Sequence, residues 1–173
     1  MSYKPIIIVP GEPNSIFLEI YFKTISKKKI KRPIIIICSH KLLVLQMKKL
    51  KYNFKINLID EKNIQFQLKK NQINLLNVNY SQKKAFEKIC SKSNTYIKNC
   101  FKLALKLLSK GITNRFINGP ISKKYFLKKK YLGVTEYLAK KTNTKKFAML
   151  IYNQKLSVSP ITCLLYTSPS PRD

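Results

Sequence analysis

Short apolar runs alternate with longer stretches of helical periodicity along the first part of this chain. Lys4–Val9 and Ile34–Cys38 are almost continuously apolar, which predicts strands buried on both faces. A helix is predicted from Asn14 to about Ile25, after the first run, and another from about Lys41 to Leu50, after the second. This alternation predicts an α/β protein in which helices cover both faces of a parallel sheet.

The middle of the chain alternates apolar and polar residues more regularly than the first two runs do. Phe54–Ile59, Ile64–Leu68 and Ile73–Val78 show this alternation, which is typical of strands with one side toward solvent. The three segments are therefore predicted to form a half-exposed group of strands.

The longest helical pattern begins at Ser81, a residue type that favours the helix N-cap. Its apolar residues recur at three-, four- or seven-residue spacing and share one face, interpreted as core: Phe86, Cys90, Ile97, Phe101, Ala104 and Leu108. Cys90 and Cys100 are expected on this one helix, about 15 Å apart and too far for a disulfide. Gly111 follows the pattern as a C-cap would.

Shorter elements are predicted for the C-terminal part of the chain. Thr113–Ile117 is predicted to be a strand, and Ser122–Lys129 and Thr135–Lys141 are predicted to be short helices. Two closing strands are predicted over Phe147–Tyr152 and Leu156–Thr162.

A glycine–proline turn directly follows two of the predicted strands. The first strand is followed by Pro10-Gly11-Glu12-Pro13, and the later strand by Asn118-Gly119-Pro120-Ile121-Ser122-Lys123. Ligands of open α/β sheets bind at the carboxyl ends of strands, where such turns carry backbone amides and helix N-termini. Each turn taken alone is also consistent with an ordinary strand-to-helix connection.

The formal net charge of +28 comes almost entirely from lysine. Lysine, isoleucine and asparagine all have A/T-rich codons, so drift of an A/T-rich genome explains the charge without an anionic partner. A nucleic-acid-binding protein is the competing interpretation, because a basic surface supplies affinity through counterion release. The lysines are spread between the apolar elements, and no sequence motif for reading RNA or DNA is present, so no specific nucleic acid is predicted as a partner.

The four cysteines show no C-x-x-C spacing, so neither a zinc site nor a thioredoxin-like site is indicated. Reduced thiols in a cytosolic protein are the simplest account, and a cytoplasmic location is predicted. The first apolar run is too short for a signal sequence, and no stretch is long enough to span a bilayer, so no membrane partner is expected.

The composition changes abruptly after Thr162. Residues 163–173 contain no Lys, Ile or Asn and read CLLYTSPSPRD, which resembles the translation of a sequencing adapter. The alternative is a natural Ser/Pro-rich tail. We therefore predict two parts, with residues 1–162 as natural sequence that would continue further and residues 163–173 as a non-native tail.

Several motifs occur in the order found in the 4-hydroxythreonine-4-phosphate dehydrogenase family of pyridoxal 5′-phosphate biosynthesis. The opening strand with its P-G-E-P turn resembles the start of that family. Ile117-Asn118-Gly119-Pro120-Ile121-Ser122-Lys123 is similar to its T/N-G-P-I-x-K, and Gly133-Val134-Thr135-Glu136-Tyr137-Leu138-Ala139 to its G-H-T-E-x-L/F-A. The resemblance is strong over residues 4–20 and 114–162, and rests on order alone between them.

The resemblance implies a truncated three-layer α/β/α fold like isopropylmalate dehydrogenase, with this chain as the N-terminal half of a two-domain enzyme. It also implies a homodimer and NAD-dependent oxidation of 4-phosphooxy-L-threonine, helped by a divalent metal (Zn, Mg or Co). The β-keto acid formed would lose carbon dioxide and give 3-amino-2-oxopropyl phosphate. A metal suits this chemistry because it can acidify the substrate hydroxyl and stabilise the enolate.

The resemblance also assigns candidate site residues. Thr135 matches a substrate-binding threonine of the family, and Lys123 matches a lysine that would attract the substrate phosphate, although it can equally be one more solvent lysine. The framework of the site is assigned to the turn residues Gly11, Glu12, Gly119 and Gly133. No catalytic residue is assigned, and the family's metal-binding histidines would lie beyond Thr162.

The sequence departs from the family pattern at two points. Val134 replaces the histidine before Thr135 and offers no donor, acceptor or metal ligand. In the first turn, Ser15 and Phe17 replace glycines and Leu18 replaces a proline, so Phe17 is expected to crowd any ligand there. The sole histidine, His40, is interpreted as a structural residue at a loop or helix start.

Three hypotheses follow for the function. The first is a truncated dehydrogenase of this family that is inactive by itself. The second is a basic nucleic-acid-binding protein that keeps only the fold, and the third is the product of a decayed gene without activity.

Overall fold

A parallel sheet of five strands forms the centre of the first of two compact units in the computed structural model. The structure describes residues 4–127 and 130–159. The strands lie in the order β3-β4-β2-β1-β5 and are β1 (Ile6–Val9), β2 (Ile34–Cys38), β3 (Ile56–Ile59), β4 (Ile73–Asn77) and β5 (Phe116–Asn118). All four neighbouring pairs are parallel, so every strand ends at the same edge of the sheet.

The described residues of this unit also form four α-helices: α1 (Phe17–Lys27), α2 (His40–Lys49), the single turn α3 (Ile64–Gln67) and α4 (Asn94–Ser109). Right-handed crossovers between parallel strands place α1 and α2 on one face of the sheet and α4 on the other. Phe101 of α4 packs edge-on against Phe116, with 5.9 Å between ring centroids. The α/β fold with helices on both faces is as the sequence predicted.

The central strands are buried as their apolar sequences require. Ile7, Val9 and Ile36 have no exposed surface, and Ile8 pairs with Ile36 on one side and Ile117 on the other. Because both faces are covered, these strands form the centre of the apolar core that stabilises the unit.

The prediction of three half-exposed strands in the middle of the chain is wrong in two respects. Ile64–Gln67 is a helical turn, and β4 lies inside the sheet with four consecutive buried residues. Asn74 is tolerated in this buried strand because its amide is fully engaged. It donates to the Ile34 and Lys69 carbonyls and accepts from the Lys69 amide and Asn57 Nδ2, which satisfies a buried polar group.

The long helix begins thirteen residues later than Ser81, at Asn94, after a 3₁₀ turn over Ser91–Ser93. Cys90 is in an extended conformation, so the expectation that it shares a helix with Cys100 is wrong. The amides of Lys83 and Lys84 donate instead to the Glu87 carboxylate, at 3.2 and 3.3 Å. Such local side-chain bonds compete with helix formation.

The end of α4 confirms the predicted C-cap. Gly111 has φ +71°, and its amide donates to the Leu108 carbonyl while the Ile112 amide donates to the Leu107 carbonyl, at 3.0 and 3.2 Å. This pair of bonds is the Schellman arrangement, which favours glycine.

The second unit, described over residues 130–159, contains one helix, α5 (Val134–Lys141). Tyr131 packs edge-on against Tyr137, with ring centroids 5.3 Å apart. Of the two predicted closing strands, the described residues show one antiparallel bridge, between Ile151 and Val158. The end of the second predicted strand and the predicted tail, residues 163–173, lie outside the described residues.

Within the described ranges, no helix combines the length and the apolar character needed to cross a membrane.

Candidate functional site at the carboxyl edge of the sheet

The two glycine–proline turns lie side by side at the carboxyl edge, because β1 and β5 are neighbours with Val9 opposite Asn118. Two backbone hydrogen bonds join them. The Glu12 amide donates to the Pro120 carbonyl at 2.8 Å, and the Gly119 amide donates to the Val9 carbonyl at 2.8 Å. We call this pair of bonded turns the clasp.

The clasp explains why glycine occupies two of its positions. Gly11 has φ +77°, and a Cβ atom there would lie 2.3 Å from the Pro120 carbonyl oxygen. A Cβ on Gly119 would lie 2.0 Å from the Pro10 carbonyl oxygen. Each turn therefore approaches the other too closely for a side chain. The sequence suggested that such turns offer amides to a ligand, but the amides of Glu12 and Gly119 are used within the clasp.

Phe17 covers the second turn. It is the first residue of α1, and its Cδ2 atom lies 2.8 Å from the position that a Cβ on Gly119 would take. Phe17 was expected to crowd a ligand at the first turn, and that stays a prediction, while its ring packs against the second turn. In a Rossmann fold, free amides of a glycine-rich turn at a helix N-terminus bind the dinucleotide pyrophosphate. The Glu12 and Gly119 amides are not free in this way, because they donate within the clasp.

Glu12 is a buried carboxylic acid at the centre of the clasp. Its side chain is only 3% exposed. Ser93 Oγ donates to Glu12 Oε2 at 3.0 Å, and the Asn14 amide lies 3.5 Å from Oε1. Burial raises the pKa of the Glu12 carboxyl, because it penalises the charged form more than these two hydrogen bonds favour it. Since Ser93 precedes α4, this acid ties the first turn to the start of that helix.

Lys123 lies at the start of a five-residue π-helical turn, Lys123–Leu127, after the second glycine–proline turn. Ser122 begins this turn, since its hydroxyl accepts from the Tyr125 amide at 3.1 Å and its carbonyl from the Phe126 amide at 2.9 Å. Lys123 is exposed. An exposed lysine at this position can contact a substrate phosphate, and it can equally remain in solvent without a functional role.

The remaining candidate residues form the first turn of α5 in the second unit. Gly133 is the N-cap and makes no side-chain cap, while Val134 and Thr135 are the first two helical residues and are half-buried. The Thr135 hydroxyl lies at a helix N-terminus, which favours an anionic group. Glu136 places carboxylate Oε2 3.1 Å from the position of a Cβ on Gly133, so a carboxylate of the chain itself already lies at this helix end.

The structure thus brings together Gly11, Glu12 and Gly119, with Lys123 shortly after the clasp. Gly133, Val134 and Thr135 belong to the other unit, and each unit is described by itself. Sequence reasoning missed Ser93 as the partner of Glu12. The polar run Ser91-Lys92-Ser93-Asn94 was the available signal, because residues of these types precede helices.

Among the described residues, no group of three or more His, Cys, Asp or Glu side chains could hold a metal ion. His40 is the first residue of α2, and its backbone amide donates to Asn77 Oδ1 at 2.8 Å. It begins a helix, which is one of the two places that the sequence left open for it. We therefore derive no metal-dependent step from these residues.

We predict that Gly119→Ala destabilises the first unit by about 3 kcal/mol, because the added methyl group would overlap the Pro10 carbonyl. Gly111→Ala is the matched control. Its φ is +71° but nothing lies within 4 Å of the added atom, so it should cost only about 1 kcal/mol. Urea denaturation of both variants measures the difference, and an equal cost at the two positions would contradict the clasp.

We also predict that the free energy of unfolding of Glu12→Gln increases relative to that of the unsubstituted chain as the pH rises. A carboxyl whose pKa is raised in the folded state favours folding below its unfolded pKa, and this contribution is lost as the pH rises through the folded pKa. Urea denaturation from acidic to neutral pH measures the change. Glu19→Gln, at a solvent-exposed helix position, is the control, and a pH-independent difference for Glu12→Gln would rule out this account.

Comparison with known proteins identifies the family. Residues 29–165 match the family described as pyridoxal phosphate biosynthetic protein PdxA. The D-threonate 4-phosphate dehydrogenase of Salmonella typhimurium is 27% identical over 164 residues, which are 91% of this chain and 50% of that protein. The chain spans about half the length of the curated relatives it matches.

Solved structures show the same fold. The 4-hydroxythreonine-4-phosphate dehydrogenase of Klebsiella pneumoniae matches with a TM-score of 0.76 and 22% identity, over 98% of this chain and 54% of that one. The enzyme of that name from Burkholderia phymatum gives a TM-score of 0.77 at 19% identity, over 90% and 48% of the two chains. Since the family match covers most of the sequence and the fold agrees, this chain belongs to the PdxA family of pyridoxal phosphate biosynthetic proteins.

Proposed function

We propose that this chain is the N-terminal half of an NAD-dependent dehydrogenase that oxidises the secondary alcohol of 4-phosphooxy-L-threonine. The resulting β-keto acid would lose carbon dioxide to give 3-amino-2-oxopropyl phosphate. The observation that carries the proposal is the family match over residues 29–165. The order of the glycine-containing motifs along the chain supports it.

Two residues of this chain are proposed to bind the substrate. Thr135 lies in the first turn of α5, where the helix N-cap is a glycine without a side chain. Its hydroxyl can donate to a phosphate or carboxylate oxygen, and the helix end favours that negative charge. Lys123 is exposed beside the second turn and can supply a positive charge to the phosphate. Val134 contributes no polar contact.

The cofactors belong to the proposal for the whole protein. NAD would accept the hydride, and a divalent metal (Zn, Mg or Co) would polarise the reacting oxygens. The described residues offer no metal-binding cluster, and the Glu12 and Gly119 amides are already bonded within the clasp. We therefore assign both groups to residues of a longer protein, which we propose acts as a cytoplasmic homodimer.

A second substrate is supported by the curated relatives, which carry the name D-threonate 4-phosphate dehydrogenase. D-threonate 4-phosphate has a hydroxyl group where the amino-acid substrate has an ammonium group. Both compounds share the phosphate and the carboxylate, so Thr135 and Lys123 can bind either one. The two substrates must therefore be compared directly.

We predict that the 173-residue chain produces no NADH with either substrate, NAD and a divalent metal, because it spans half of its relatives. The measurement is NADH absorbance. Sustained turnover by the purified chain would overturn the proposal that the catalytic groups lie elsewhere.

The proposed activity is tested on a coding sequence extended past the codon for Thr162. We expect its product to form NADH with one of the two substrates, and Thr135→Ala to lower kcat/KM about tenfold to a hundredfold through loss of a hydrogen bond to a charged group. Thr135→Ser, which keeps the hydroxyl, is the control. A folded product without activity on either substrate would contradict the proposed function and favour a decayed gene.

A further inference from the structure

An irregular segment, Val78–Cys90, crosses the carboxyl edge of the sheet between β4 and the 3₁₀ turn before α4. We call it the strap. Ala85 is its one buried side chain, while Phe86 and Ile89 remain 37% and 39% exposed. Apolar burial therefore contributes little to holding the strap in place.

Polar side chains fasten the middle of the strap to the clasp. Asn14 Oδ1 accepts from Gln82 Nε2 at 3.2 Å and from the Glu87 amide at 2.9 Å. Gln46 Nε2 donates to the Ala85 carbonyl at 2.8 Å and to the Pro13 carbonyl at 2.7 Å. The strap is therefore fastened at Pro13, through Gln46 of α2, and at Asn14 directly. These are the two residues that follow Glu12.

The two ends of the strap are attached separately. At the first end, the Val78 amide donates to the Cys38 carbonyl at 3.0 Å, and Ser39 Oγ donates to the Tyr80 carbonyl at 2.7 Å. The Tyr80 ring also stacks on Tyr96 of α4, with centroids 4.7 Å apart. At the other end the chain enters the 3₁₀ turn that leads to α4. The contacts of the first end are thus separate from those that hold the middle of the strap.

Glu12 lies next to this segment. The pKa of Tyr80 is raised by burial first and by the nearby Glu12 carboxylate second. The strap bonds to Asn14 Oδ1, and the backbone amide of the same residue lies 3.5 Å from Glu12 Oε1. Displacing the middle of the strap would release the bonds that hold Pro13 and Asn14, the two residues that follow Glu12.

We infer that the strap is a latch over the clasp, whose middle, residues 82–89, opens as a unit while the sheet stays folded. Opening would give a ligand access to the carboxyl edge beside Glu12. The inference rests on the proposed function only in treating this edge as the ligand-binding side. The opening itself is a property of the free chain.

Site-resolved hydrogen exchange of the full chain in low urea tests this inference. The reporter is the Glu87 amide, which donates to Asn14, and the reference is the set of β2 amides in the centre of the sheet. We expect exchange at Glu87 to depend only weakly on urea and exchange in β2 to follow global unfolding. An equal urea dependence at both places would overturn the latch.

Gln82→Ala should accelerate exchange at Glu87 about fivefold or more, since it removes donors to Asn14 and to the strap itself. The exchange rates of the β2 amides should be unchanged. Gln82→Glu keeps the size of the side chain but loses its donors, so it should accelerate exchange at Glu87 to a similar extent.

Lys88→Ala, at an exposed position of the strap, is the control and should change exchange at Glu87 by less than about twofold. Unaltered exchange at Glu87 in both Gln82 variants would refute the inference. Failure of substrate binding would count only against the proposed function.

Discussion

The close contact between two backbone turns is the constraint on which the rest of this edge depends. The carbonyl of Pro120 accepts the Glu12 amide, the carbonyl of Val9 accepts the Gly119 amide, and neither glycine has space for a Cβ atom. Parallel neighbouring strands bring the turns to one edge, and the two glycines allow them to touch.

Glu12 is a carboxyl group that the clasp buries at an energetic cost. A carboxyl buried to this degree loses hydration, and its raised pKa records that cost. The Ser93 hydroxyl and the start of α4 offset part of it by offering a donor and the positive end of a helix. The same side chain thereby connects β1 to a helix on the opposite face of the sheet from α1. A buried acid is thus used as a tether between layers.

The sequence predicted the regular part of the fold well. β2 has the predicted bounds, and α1 and α2 lie within a few residues of their predicted positions, because continuous apolar runs and helical spacing are strong signals. Prediction failed where side-chain amides and carboxylates make the hydrogen bonds of backbone N–H and C=O groups. The spacing of Phe86 and Cys90 suggested a helix, but the bonds made by Glu87, Asn14 and Gln46 hold an irregular strap.

The candidate site was predictable only in part, for a related reason. Glycine marked the positions of close approach, yet the sequence could not show that each turn is the other's neighbour. Nor could it show that Ser93 is the partner of Glu12, because these residues are 81 positions apart in the chain. Long-range polar partners have no periodic signal, and only the strand order brings them together.

The departures from the family pattern gain a physical meaning from this geometry. Phe17 rests against Gly119, so the clasp tolerates a ring where the resemblance implies a glycine, and the ring fills space beside the turn without breaking its hydrogen bonds. Val134 begins α5 as well as a histidine could, since the first helical position needs no side-chain donor. Both replacements therefore preserve the framework and change only what can contact a ligand. The clasp depends on backbone atoms and glycines, whereas the proposed ligand contacts depend on the side chains around them, so a replacement of one of these side chains can leave the clasp intact.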